Sequence, residues 1–78
     1  MAGVRLHDYT RDNLPIIRRL VRAGIISGRI IRHFRIYESY RKLPPGTNNM
    51  DRYETLAKEW NISTRTAMRA IKEMEQTI

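Results

Sequence analysis

The side chains with the most chemistry to offer lie close together near the C-terminus: Ser63, Thr64, Arg65, Met68, Arg69 and Lys72. On one helix, with Ala67, Ala70, Ile71 and Met74 turned inward, they share the outer face. Arg65 and Arg69 lie one turn apart, and each guanidinium can give two parallel N–H donors to a guanine edge or a phosphate. Met68 offers an apolar contact of the kind a thymine methyl accepts, and Lys72 a point charge suited to backbone phosphate. Ser63 and Thr64 present hydroxyls and backbone N–H groups at the positive end of the helix dipole.

Such a face has to be held by a second helix. Leu56, Ala57 and Trp60 recur at helical spacing, the pattern breaks at Asn61 and Ile62, and it restarts at Ala67. Ser63 is a good N-cap, because its hydroxyl accepts from the unpaired N–H groups of a new first turn; the restart therefore falls at Thr64. Asn61 sits at the turn, where asparagine tolerates the left-handed backbone better than other non-glycine residues. Small Ala57 permits close crossing of two helices. The run LAKEWNISTRTAMRAIKEM resembles the helix-turn-helix of bacterial and phage transcription factors, through the pair Leu56-Ala57, the aromatic Trp60 before the turn and Ile62-Ser63 at the start of the second helix. It is similar in pattern to Mor-type phage activators and to the promoter-reading domain of sigma factors. The resemblance covers about residues 51 to 75, with Asn61 where glycine is commonest. It implies that the outer face of the last helix reads base edges in the major groove of double-stranded DNA.

Composition sets the outer limits. Seventy-eight residues make one small domain, near the lower end of what buries a self-sufficient core, so help from a partner is expected. The absence of Cys removes disulfides and thiolate zinc sites, and His7 and His33 have no paired ligand spacing. Each histidine is expected at the surface or half buried, and neither metal nor cofactor is expected. No apolar run approaches the ~20 residues of a membrane span, and the first residues lack the order of a secretory leader. A cytoplasmic protein without a membrane role is the expectation. Fifteen Lys and Arg against eight Asp and Glu leave +7, and twelve of the fifteen are Arg, which suits a polyanionic partner. Residues 1–45 hold ten basic and three acidic side chains, whereas 46–78 hold five of each. Long-range attraction must therefore come from the first half.

Residues 1–11 show no sustained periodicity and read as an arm or a frayed lead-in, with Arg5 and Arg11 able to reach a phosphate or a minor groove. Asp12 or Asn13 caps a first helix to about Ala23, with Pro15 in its first turn and Gly24 as its stop. Leu14, Ile17, Leu20 and Val21 line one face, widened by Ile16; Arg18, Arg19 and Arg22 line the other. Ser27 caps a longer helix from about Gly28 to Lys42 or Leu43. Its two apolar lines, Ile30, Ile31, Phe34 and Tyr37, then Ile36, Tyr40 and Leu43, are expected to meet the first helix and the C-terminal pair. Gly24-Ile25-Ile26-Ser27 leaves open a second helix-turn-helix formed by these first two helices, with ordinary helix packing as the alternative. Pro44 to Asn49 is a loop, Asp51 with Glu54 a capping-box-like start to the third helix, and the last helix runs from Thr64 to about Gln76, leaving too little chain for a wing.

The expected fold is all-α, a four-helix domain spanning 1–78. Residues 12–43 form a basic support and dimerisation part, and 51–76 the helix-turn-helix. Expected function is sequence-specific binding of double-stranded DNA as a small bacterial or phage transcription regulator, with Ser63, Thr64, Arg65, Met68, Arg69 and Lys72 on the DNA and Arg29, Arg32 and Arg35 in backbone support. Specific sites usually need two such readers, so a homodimer through the first helix is expected. No enzyme is expected, since the acidic residues are scattered at helix starts or beside bases and no nucleophile pairs with a His. Alternatives are a protein-interaction or phage assembly and recombination factor, an RNA binder, or an interfacial helix at Arg29 to Lys42 lying on anionic lipid. Nothing in these residues addresses a contact with RNA polymerase.

Overall fold

A computed structural model of the chain describes residues 3–44 and 49–78. Five helices occupy them, α1 (Leu6–Asp12), α2 (Leu14–Arg22), α3 (Arg29–Lys42), α4 (Asn49–Trp60) and α5 (Thr64–Glu75). The all-α class holds, with one helix more than the four expected. The extra one is α1, formed by residues read as an arm. Its inward face is carried by His7 and Thr10, both buried, so hydropathy does not mark it. Asp8 in its first turn and Arg11 in its last complement the helix dipole.

The α3 helix is the spine, as its two apolar lines require. It packs most extensively on α5, then on α4 and α1. Ile36, Leu56, Ile71 and Met74 are fully buried at the centre, with Phe34, Tyr37, Ala67 and Ala70 around them. Each large aliphatic contributes about 1.5–3 kcal/mol by leaving water. Contrary to expectation, the N-terminal neighbour of α3 is α1 and not the first predicted helix, now α2, which leans chiefly on α1. The corner motif considered between the first two predicted helices is therefore not a packed helix pair. Within α2, Ile17 is buried, yet Ile16 is 58% exposed, as is Ile25 beyond it at 68%.

Aromatic side chains tie these layers together. The His7 ring stacks on Phe34 at 5.2 Å and tilts against Tyr37 at 4.8 Å. Tyr37, Tyr40 and Tyr53 continue the stack at 6.0 and 5.9 Å. Arg52 of α4 lies 4.1 Å over the Tyr40 ring and donates to its hydroxyl at 3.2 Å and its carbonyl at 3.1 Å. Arg52 thus clamps the start of α4 to the end of α3, a stacked and bidentate arrangement that lysine cannot copy. Both histidines are buried, against the expectation of surface or half-buried positions, because each has acidic neighbours: His7 has Asp8 and Glu38 at 3.2 Å, and His33 has Glu73 at 2.5 Å.

The chain ends meet. Leu6 N–H donates to the Gln76 carbonyl at 2.7 Å, Ile78 N–H to Val4 at 2.8 Å and Val4 N–H to Ile78 at 3.2 Å, with Arg5 opposite Thr77 in an antiparallel bridge. Neither proposed arm residue is loose: Arg5 sits in this clasp, and Arg11 pairs with Asp8 at 3.6 Å and Asp12 at 3.2 Å.

Helix starts match less well than helix centres. Asn13 precedes α2 without a side-chain cap bond, and Gly28 takes the N-cap of α3, while Ser27 Oγ accepts from Arg29 N–H at 3.2 Å. Asp51 lies inside the first turn of α4 and not at the position before it, because that helix begins at Asn49. Of the expected loop, residues 45–48 lie outside the described residues. Gly24, at φ +75°, stops the α2 segment in the left-handed region that favours glycine.

Candidate nucleic-acid interface

Local chemistry places α5 as the sequence suggests. Ile62 N–H donates back to the Ala57 carbonyl at 2.9 Å, closing the end of α4, and Asn61 takes φ +53°, the one positive-φ non-glycine residue among those described. Two residues after Asn61, Ser63 is extended, and its Oγ accepts from Thr66 N–H at 3.1 Å, capping α5. The Thr66 hydroxyl lies 2.9 Å from the same Oγ. A three-residue corner thus aims a capped helix, and it does so with Ala57 buried at the crossing.

Ala67, Ala70, Ile71 and Met74 are buried, which fixes the rotation of α5. Arg65, Arg69 and Lys72 are exposed on the opposite side and Ser63 is exposed at the tip, while Thr64 and Met68 are half-buried toward one flank. The six expected residues therefore lie on one helix but divide into an outer basic line and a flank.

The other flank is the wall of a groove. Between the first turn of α3 and the start of α5 is a concavity of about 650 Å³ lined by Gly28, Arg29, Arg32, His33, Ile62, Ser63 and Thr66. A second, about 400 Å³, continues along α5 between Arg29, His33, Arg69, Lys72, Glu73 and Gln76. Arg29 and His33 border both, so the two run together. Arg29 and Arg32, expected only as backbone support, thus line the same groove as α5. Arg35 is exposed but lines neither concavity.

Glu73 stands in the groove, hydrogen-bonded to His33 Nδ1 at 2.5 Å. Glu75 accepts from the Tyr37 hydroxyl at 3.2 Å. Burial raises the Tyr37 phenol above its ordinary value and the charge of Glu75 adds to this, while Arg5 and Arg41 pull the other way. No family, no curated protein and no solved structure matches this chain. Its residues must therefore speak for themselves. Sequence reading missed His33, Thr66 and Glu73 as groove residues. The 40-residue separation of His33 from Glu73 leaves no local signal, whereas Thr66 is legible as the residue three beyond a serine cap.

Among the described residues no cluster of three or more His, Cys, Asp or Glu is placed to hold a metal ion. No helix there is long and apolar enough to cross a membrane. The surface of α3 once weighed as a lipid face holds His33, Phe34, Ile36 and Tyr37, which are buried in the core.

Proposed function

We propose that the chain is a cytoplasmic, non-enzymatic transcription regulator of the bacterial or phage helix-turn-helix type, which reads double-stranded DNA with α5. One observation carries this reading: a short corner, with Asn61 left-handed and Ser63 capping, presents Arg65, Arg69 and Lys72 on the exposed side of a helix whose opposite side is buried. Arg65 and Arg69 address base edges, at about 1–3 kcal/mol of discrimination for each good bidentate pair. Lys72, Arg29 and Arg32 hold phosphates and supply the salt-dependent part of affinity, roughly 0.9 in the logarithmic salt slope per contact. Ser63 and Thr64 sit where a helix N-terminus meets a phosphate. A second copy joins through α2, whose Ile16 and neighbouring Ile25 are more than half exposed, and the two readers then address half-sites about one DNA turn apart.

Selection from a random duplex pool tests this. Wild type should enrich a short two-fold motif; Arg65→Ala combined with Arg69→Ala should keep salt-sensitive binding and lose the motif. Enrichment of the same motif by the double variant would remove α5 as the reader.

A further inference from the structure

Among the described residues Glu73 is the sole acidic side chain bordering the groove between α3 and α5, amid Arg29, Arg32, Arg69 and Lys72. A carboxylate there repels a phosphate that the four cations attract. It is also held by a histidine that is itself buried, 8% exposed, at the groove wall. We propose that this groove is a phosphate site, and that a proton on the His33–Glu73 pair sets how strongly it holds its ligand. The proposal rests on the DNA reading for the source of the phosphate, while its chemistry is that of any phosphate ester.

The argument is one of charge and donors. Arg29 and Arg32 rise from α3 on one wall, Ser63 and Thr66 stand on the other, and Arg69 and Lys72 extend the positive line along α5. Guanidinium forks match phosphate oxygens bidentately, so this wall is built for the anion. With His33 neutral, its Nδ1–H donates to Glu73, and the carboxylate keeps a full negative charge in the groove. Protonation cancels that charge and turns Nε2, the nitrogen Glu73 does not engage, into a donor. The groups facing His33 are Arg29 and Arg32 on its own helix and Glu73, Arg69 and Lys72 on α5. A bound phosphate offsets the four cations around the pair, so ligand and proton favour each other, and by linkage the affinity falls as the pair gives up its proton.

The test uses the whole chain, with the His33 ring signals followed by NMR and those of His7, which borders neither concavity, as internal control. Inorganic phosphate and a 20-base-pair random-sequence duplex are titrated separately, and duplex affinity is measured from acid to mildly alkaline pH at constant ionic strength. Both ligands should move the His33 signals. Duplex affinity of wild type should fall as pH rises, by at most about tenfold per pH unit, the limit for one linked proton. Glu73→Gln, close in shape, should match wild type in acid, exceed it in mild alkali and lose the steep dependence; Arg29→Ala plus Arg32→Ala should lower the salt slope by about two. A His33 ring unmoved by either ligand, or a Glu73→Gln profile as steep as wild type, overturns the proposal. Duplex binding with His33 unmoved overturns the groove alone and leaves α5 as the reader. Phosphate moving His33 with no duplex bound at any pH supports the groove and defeats the DNA reading.

Discussion

Helices α2 and α5 are built on the same plan and put to different use. Each is short, with apolar residues on one face and arginines on the other: Ile17, Leu20 and Val21 against Arg18, Arg19 and Arg22 in α2, Ala67, Ala70 and Ile71 against Arg65 and Arg69 in α5. The difference lies in what they pack on. α5 is wedged between α3 and α4, and its inner face disappears completely, whereas α2 leans on α1 and buries Ile17 alone. Amphipathic pattern therefore tells that a helix has an inside, and packing decides whether the inside is filled by its own chain.

The contrast predicts where the fold breaks. Ile71→Ala should cost about 2–5 kcal/mol, as should Leu56→Ala, because each empties a site with no exposed surface into which neighbours can relax. Ile16→Ala should change stability of the single chain by no more than about 0.5 kcal/mol, yet weaken self-association in sedimentation. Urea melts of the three variants separate the two helices directly; equal losses in Ile16→Ala and Ile71→Ala would erase the distinction.

Next in size is the corner that only α5 has. Asn61→Ala should destabilise by about 1–2 kcal/mol, the cost of a left-handed alanine, while Asn61→Gly should be neutral or mildly stabilising. Ser63→Ala should cost about 1 kcal/mol through loss of the bond to Thr66 N–H. If thermal melts show Asn61→Gly worse than Asn61→Ala, the turn does not depend on backbone sign.

The smallest effect concerns alkali. Since Tyr37 has its folded value raised, mainly by burial, the neutral phenol is the form the core accepts. Its contribution is complete below the unfolded value of about 10 and is lost as pH rises through the raised folded value. Melting temperature should fall across that window in wild type and fall less in Tyr37→Phe; identical alkaline profiles would mean that the phenol stays accessible.

The α4–corner–α5 region was legible because every signal in it is local: a serine three residues before the N–H it caps, an asparagine at the turn, and alanines and isoleucine at helical spacing. The spine α3 was legible for the same reason. What escaped is held by contacts remote in sequence or made by polar groups facing inward. His7 and Thr10 turn an apparent arm into α1, Arg52 works through the face and carbonyl of Tyr40, and His33 meets Glu73 across the groove. Polar residues buried by partners far along the chain carry no hydropathy signal, so nothing local in the sequence marks the groove. The starts of α3 at Arg29 and α4 at Asn49 fall within two residues of the expected ones, the span over which helix ends are least sharply defined.

Amide and isoleucine-methyl shifts recorded as a duplex carrying the selected site is added test the central contrast most directly. Perturbations should concentrate on residues 63–72 of the chain and on Arg29 and Arg32, with Ile16 and Ile25 responding as copies associate, whether through protein concentration or on the paired half-sites. Shifts confined to Arg18, Arg19 and Arg22, with the face of α5 silent, would contradict the assignment of α5 as reader and make α2 the nucleic-acid surface.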